Sequence, residues 1–315
     1  MNYMRIAATE NTIYTSPDAS KIFCYTPSIL VTPTGRLIVS FDLGGEGVKS
    51  IEGHKSSRAG GSRFGQGKIF ISDDNGQQKW TFVQNFPFWH ARLFTIGNSI
   101  YLIGHAGDIC IMKSEDNGES WSDTYFLTHG EKWHSSACNV LFSNGNVYLA
   151  MEQRCRLNEV TGWDVAGLSP TLFRACVEDN LCLASSWSRS EKFIYKEVFD
   201  GAKLDFFGIP FYDCETNKPK EIATGINNAP LGWLEANVVK FVDKDHIWHT
   251  DLKEVFHLFL RAHTGGVNYA HLFKIEIQDD QNMIPSLEHT PSGQKISYIP
   301  FPGGHLKFFI IYDEL

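Results

Sequence analysis

Ser114-Glu115-Asp116-Asn117-Gly118-Glu119-Ser120-Trp121 is the stretch that decides the fold of this 315-residue chain. Its frame, Ser-x-Asp-x-Gly-x-x-Trp, describes a tight turn. The Asp carboxylate accepts backbone N–H groups across the bend, Gly takes a positive φ, and Trp packs between neighbouring sheets. Ser72-Asp73-Asp74-Asn75-Gly76-Gln77-Gln78-Lys79-Trp80 repeats the frame with one extra residue before the tryptophan. Asp74 and Asp116 stand 42 residues apart, inside the period of about 40–50 residues that marks repeated four-stranded sheets.

Outward from these turns the chain reads as strand after short strand. Ile29–Phe41 bends at Pro33-Thr34-Gly35, Leu93–Ile103 at Gly97-Asn98, and Val140–Met151 at Asn144-Gly145-Asn146. Each is a hairpin signal, with β-branched and aromatic residues flanking a turn that tolerates positive φ. Phe94–Leu102 matches Phe142–Leu149 with one residue deleted, about one period further on. Later strands are expected at Thr171–Val177, Trp233–Val242, Val255–Arg261, Tyr269–Ile277 and Leu306–Tyr312, and Asp200–Pro230 reads as a long loop. The expectation is an all-β β-propeller forming one domain over residues 1–315. Six blades fit, and five or seven are also compatible. Asp313-Glu314-Leu315 follows an apolar strand directly, and the last sheet edge of a propeller needs closing. Either an N-terminal strand closes the ring or a C-terminal closing segment is missing.

Composition narrows the function classes. A net charge of −8 and the lack of a basic stripe disfavour nucleic acid. No run approaches the ~18 apolar residues of a membrane helix, and Met1–Ile6 lacks the apolar core of a signal peptide. Seven scattered cysteines without a CxxC spacing read as mostly reduced core thiols. They favour the cytoplasm, with the periplasm or secretion open to a chain whose leader has been removed. No metal or other cofactor is signalled: HExxH and Cys-pair motifs are absent, and His54, His246 and His249 read as loop residues. Oligomeric state is left open.

The two turns are aspartate boxes, and from Tyr25 onward the chain resembles the sialidase superfamily of glycan-active propellers, most closely its uncharacterised bacterial members. The phrases Trp133–Asn139, Arg261–Gly266 and Pro302–Phe308 carry that likeness. The resemblance implies a carbohydrate partner and a central pocket. It also departs from the family. Cys24-Tyr25-Thr26-Pro27 places Tyr25 where sialidases carry the first carboxylate-gripping Arg, and Ala59–Gly65 lacks the acid/base Asp. Leu234-Glu235-Ala236-Asn237-Val238-Val239 with Leu258-Phe259-Leu260-Arg261 resembles the strand pair that supplies the nucleophile's Glu partner and the second Arg. Carried over, Glu235 partners a reactive group and Arg261 clamps a carboxylate.

Four phrases set His, Arg or Glu beside aromatics at strand ends: Trp89-His90-Ala91-Arg92, Lys132-Trp133-His134, Met151-Glu152-Gln153-Arg154 and Arg261-Ala262-His263. In a propeller such ends converge on the pocket. One reading is a glycoside hydrolase acting on a terminal or acidic sugar, with Glu235 and Glu152 as acids and Tyr269 or Tyr25 as nucleophile. A second is a polysaccharide lyase, in which Arg261 neutralises a uronate and His134, His263 or His90 removes the proton. A third is a non-catalytic carbohydrate- or protein-binding propeller. The expected catalytic residues are Glu235, Arg261, His134, Tyr269 and Glu152. Arg92, His90, Trp133, His263, Arg154 and Tyr25 are expected to contact substrate.

Overall fold

Runs of β-branched and aromatic residues, punctuated by Gly and Asn, pair with their chain neighbours throughout this computed structural model. It describes residues 10–57, 64–155, 165–198, 221–223, 226–227, 232–261 and 268–312. They belong to two compact units, Met1–Tyr125 and Phe126–Leu315.

In the first unit, β1 (Phe23–Val31), β2 (Leu37–Gly44), β3 (Ser56–Ser57), β4 (Phe64–Ser72) and β5 (Thr81–Phe86) form one antiparallel sheet, in which β4 pairs with β2, β3 and β5. A second sheet follows as β6 (Trp89–Ile96), β7 (Ser99–Ala106), β8 (Asp108–Ser114) and β9 (Tyr125–Phe126), each strand beside the next. β2 is buried from Ile38 to Gly44, as a near-continuous apolar strand must be when both its faces are covered. Ile38 and Ile69 of the first sheet meet Leu93, Ile100, Leu102 and Met112 of the second around Phe86 and Phe88, whose rings lie 4.7 Å apart. Full burial of such a side chain is worth about 1.5–3 kcal/mol.

The two Ser-x-Asp-x-Gly turns leave β4 and β8. Asn75-Gly76 and Asn117-Gly118 all have positive φ. Asp74 accepts the N–H groups of Gln77, Gln78 and Lys79, and Asp116 accepts the N–H and hydroxyl of Ser120. Gly118 has a second constraint: a Cβ there would lie 2.5 Å from Ile38 Cδ1 of the first sheet. Arg36 ties the turns together. It forms a two-pronged pair with Asp73 at 2.6 and 3.0 Å, and its Nη1 donates to Asn117 O and Glu119 Oε1 at 3.1 and 3.2 Å. Arg36→Ala is therefore expected to lower the thermal unfolding midpoint by a few degrees, more at low salt than at high, since both carboxylate partners are exposed.

In the second unit, β10 (Trp133–His134), β11 (Leu141–Ser143), β12 (Asn146–Arg154), β13 (Leu168–Cys176) and β14 (Ser188–Arg189) form a sheet whose first strand is broken into β10 and β11, both paired to β12. A single helical turn, α1 (Tyr195–Val198), and the small ladder of β15 (Glu221–Ala223) with β16 (Ile226–Asn227) come next. The fourth sheet is β17 (Leu234–Val239), β18 (Glu254–Arg261), β19 (Tyr269–Ile277) and β20 (Met283–Ser286), each beside the next. β21 (Glu288–His289) pairs with β22 (Lys295–Ile296), and β23 (Tyr298–Pro300) returns to β19. Tyr148 and Leu172 of the third sheet pack on Phe256, Leu258 and Phe273 of the fourth, with Trp233 fully buried among Phe193, Tyr195 and Phe273. Antiparallel sheets in up-and-down order, packed in pairs within each unit, are propeller blades, so the fold is all-β and of the β-propeller kind. Leu306–Tyr312 forms no ladder among the described residues.

A charge network with a buried His257–Glu288 pair joins β18, β19 and β21. His257 Nε2–H donates to Glu288 Oε1 at 2.8 Å, and Lys274 reaches Glu288 Oε2 at 3.4 Å. Burial pushes the His257 imidazole below its ordinary 6.5. Burial pushes the Glu288 carboxyl up, but the His257 hydrogen bond and the Lys274 charge outweigh it and leave the group below its ordinary 4.5. Both folded values lie below the unfolded ones, so the stability they contribute is present above the unfolded pKa and lost as pH falls. Unfolding midpoints in urea should thus begin to drop below about pH 6.5, where the unfolded His257 takes up its proton. His257→Gln should flatten that part of the profile.

Candidate functional site

The candidate site begins with a repeated irregularity in the first strand of three sheets. The β1 register against β2 shifts between Tyr25 and Ser28, β6 against β7 between Trp89 and Arg92, and β17 against β18 between Leu234 and Asn237. Each is a β-bulge in which three residue steps oppose two. The residue that opens each bulge is left-handed, with φ of 47° at Thr26, 53° at His90 and 58° at Glu235. None is glycine, and an L-residue in this region costs about 1–2 kcal/mol. Strain at one equivalent place in three sheets, maintained without glycine, makes this position the candidate site.

The second strand places one ionisable residue opposite the start of each bulge, and Glu152 stands opposite β10 in the third sheet. Tyr25 pairs with Asp42, Trp89 with His105, His134 with Glu152 and Leu234 with Arg261. Asp42, His105 and Glu152 are buried, and Arg261 is about one-fifth exposed. Two of them hold the bulge of the following sheet: Asp42 Oδ1 accepts the His90 N–H at 3.0 Å, and Glu152 Oε1 accepts the Ala236 N–H at 3.0 Å. The sequence reading missed Asp42 and His105. A usable signal was present, because each ends an apolar run in the second strand of its hairpin, as Glu152 and Arg261 do.

In the second unit these contacts bring four expected residues together. His134 Nδ1–H donates to Glu152 Oε2 at 2.8 Å, and the other Glu152 oxygen holds the amide next to Glu235. Arg261 Nη1 lies 3.5 Å from Glu235 Oε2, and its Nε–H donates to His305 O at 3.0 Å. Glu152 is 1% exposed, with one oxygen engaged by His134 and the other by the bulge. In the neutral imidazole, a proton on Nδ1 leaves the lone pair on Nε2, where a base needs it. Tyr269 opens β19, next to Ala270, the partner of Arg261. Arg154 lies two residues beyond Glu152, opposite Leu168. Trp133 was expected to offer its face to a sugar, but it is 1% exposed with its ring edge-on to Phe173, so it belongs to the interior of its sheet. His263, Ala262 and the loop residues 58–63 lie outside the described residues.

The first unit has its own cluster. His105 Nε2 and His90 Nδ1 approach to 3.4 Å beside the Asp42 carboxylate that holds His90. Arg92 follows the bulge and is 1% exposed. Tyr25 is nearly half exposed, edge-on to Phe23. Among the described residues no three His, Cys, Asp or Glu side chains are grouped to hold a metal, and no helix is long and apolar enough to cross a membrane.

No family model matches the sequence, and no curated protein matches it. Solved structures do. A protein of unknown function from Dyadobacter fermentans aligns over 88% of this chain and 70% of its own at 13% identity and a TM-score of 0.49. The α-L-arabinofuranosidase of Lactobacillus brevis aligns over 88% and 82% at 12% identity and 0.46. The NanB sialidase of Streptococcus pneumoniae, in its K499G mutant, aligns over 91% and 50% at 10% identity and 0.45. Likenesses at this level assign no residue a role, so the chemistry has to come from the side chains themselves.

Proposed function

We propose that this protein is a glycoside hydrolase that acts on a terminal or acidic sugar, with Glu235, Arg261 and His134 at its site and Glu152 holding them. The observation that carries the reading is Glu235: a carboxylate on a left-handed bulge, with its neighbouring amide fixed by Glu152 and a guanidinium 3.5 Å away. Arg261 supplies planar donors suited to a sugar carboxylate or hydroxyl pair. Glu235 supplies the carboxylate that a glycosidic reaction needs beside the anomeric carbon, acting directly or through a hydroxyl nucleophile such as Tyr269. His134, oriented by Glu152, carries a proton to or from the leaving oxygen.

The test is a panel of nitrophenyl glycosides that includes sialic acid, arabinofuranose and glucuronic acid, with release of nitrophenol as the readout. Cleavage of one of them by the wild type, and its loss in Glu235→Gln, is the expected result. Failure on every sugar, oligosaccharides included, would remove the hydrolase reading. One observation favours a lyase as the second reading, namely the His134–Glu152 pair with its lone pair on Nε2. That chemistry would show as a rise in ultraviolet absorbance from an unsaturated uronate, without added water in the product.

A further inference from the structure

Asn-Gly occurs three times in this chain, at Asn75-Gly76, Asn117-Gly118 and Asn144-Gly145. All six residues have positive φ, from 49° at Asn144 to 86° at Gly118. The three turns share one kind of backbone and differ in what surrounds it.

Asn-Gly is a chemically labile pair. The glycine main-chain nitrogen, on losing its proton, attacks Cγ of the asparagine side chain, and no Cβ on the glycine obstructs the approach. The N–Cγ bond forms, the Cγ–Nδ2 bond breaks, and Nδ2 leaves as ammonia with the proton that the glycine gave up. Water then opens the ring. Cleavage at Cγ gives aspartate, and cleavage at the main-chain carbonyl carbon gives isoaspartate, whose backbone runs through Cβ and Cγ and is one atom longer.

The reaction starts at the glycine nitrogen, so the partner of that N–H sets the rate. Gly76 N–H donates to Ser72 Oγ at 3.0 Å, and Gly118 N–H donates to Ser114 Oγ at 2.9 Å. Both serines are buried, and their hydroxyls donate in turn to Asp74 Oδ1 and Asp116 Oδ1. Both glycines are buried as well. Either nitrogen must therefore break a hydrogen bond inside a tightly held turn before it can attack. The third turn differs. Asn144 and Gly145 are exposed. Gly145 O accepts the Val177 N–H at 3.0 Å, but among the described residues the Gly145 N–H meets no acceptor.

We infer that Asn144 is a site of spontaneous deamidation, with water as co-reactant, and that the hydroxyls of Ser72 and Ser114 protect Asn75 and Asn117 from the same reaction. The place of Asn144 gives the change a consequence. Glu254, which opens β18, accepts from Ser143 Oγ at 3.4 Å, Asn144 Nδ2 at 2.9 Å, Lys240 Nζ at 3.3 Å and Tyr148 Oη at 3.3 Å. It thereby ties the β11–β12 hairpin of the third sheet to the fourth. Deamidation removes one of these donors and sets a second carboxylate against Glu254, where like charges repel. Isoaspartate also lengthens a two-residue turn whose geometry fixes the pairing of Ser143 with Asn146. None of this depends on the proposed hydrolase activity.

The test holds the folded full chain in mildly alkaline buffer and follows conversion of amide to acid at the three sites by peptide mass mapping. Asn144 should convert about tenfold or more faster than Asn75 and Asn117, the factor that breaking one hydrogen bond introduces. An isoaspartate-specific methyltransferase should label the Asn144 peptide. In the urea-unfolded chain the three rates should converge. Equal rates in the folded chain, or a difference that persists unchanged in urea, overturns the inference. Ser114→Ala should speed conversion at Asn117 and leave Asn144 as it was, and Ser72→Ala should do the same for Asn75. No change at either site overturns the protective role of the hydroxyls. Asn144→Asp should lower the thermal unfolding midpoint, and Glu254→Gln in the same chain should restore most of the loss. A wild-type midpoint in Asn144→Asp overturns the consequence assigned to Glu254.

Discussion

Arg261→Ala should lower kcat/KM on the cleaved sugar by about 10²–10³, the usual loss when one fixed donor is taken from charge that develops in the transition state. Arg261 reaches Glu235 Oε2 at 3.5 Å and is anchored on His305 O, so the fork is held before substrate arrives. Arg261→Lys keeps the charge but not the planar pair of donors, and should recover little. Glu235→Gln should cost about 10²–10⁴, the range for a residue that gives or takes a proton. The instructive variant is Glu235→Gly. Glycine accepts the left-handed conformation without penalty, so this enzyme should unfold no more easily than the wild type, and its stability could rise by as much as about 1 kcal/mol. It should be inactive all the same. An Arg261→Ala enzyme with full kcat/KM on the same sugar would take Arg261 out of the site.

Glu152→Ala is expected to be the most destabilising single substitution at the site, at about 3–5 kcal/mol by denaturant unfolding. Glu152 is 1% exposed, and its two oxygens satisfy the His134 imidazole at 2.8 Å and the Ala236 amide at 3.0 Å. Alanine leaves both donors buried without an acceptor, and each such group costs about 1–3 kcal/mol. Glu152→Gln separates support from chemistry. The amide oxygen can still accept from Ala236, so most of the stability should remain. Its NH₂ then faces His134, which must move its proton to Nε2 to offer a lone pair in return. A base with the wrong tautomer should lose activity about 10²–10⁴-fold while the unfolding midpoint changes little. Full activity in Glu152→Gln would show that His134 transfers no proton.

Much of the strand order could be read from local residues. Gly97-Asn98 joins Ile96 to Ser99 with positive φ at Gly97, and Asn144-Gly145 joins Ser143 to Asn146 with positive φ at both, as two-residue hairpins require. Tyr269–Ile277 was expected as a strand and is β19 residue for residue. Leu306–Tyr312 was expected as a strand as well, but its partner is the Asn237 side chain and not a neighbouring backbone. Apolar alternation reports burial and cannot distinguish these two kinds of edge.

Trp133 shows the opposite failure. A tryptophan beside His134 suits a sugar, yet the same composition suits a core, and the one-residue alternation of a strand decides between them. Asp42 and His105 escaped notice because their signal, a polar residue closing an apolar run in a second strand, gains meaning only when the hairpins are compared with one another.

The local sequence, then, determined the kind of fold. Asp-Asn-Gly turns, two-residue hairpins and apolar strand runs depend only on φ preferences and side-chain alternation within a few residues, and those preferences are written in the residues themselves. The tertiary structure decided the site. The bulges at Thr26, His90 and Glu235 share no residue type, because each exists only through the register of one strand against the next. The pairing of Glu152 with Ala236, and of Arg261 with His305, joins segments 84 and 44 residues apart. No local preference encodes such contacts. They form only when packed sheets bring a carboxylate or guanidinium against backbone groups that water can no longer satisfy.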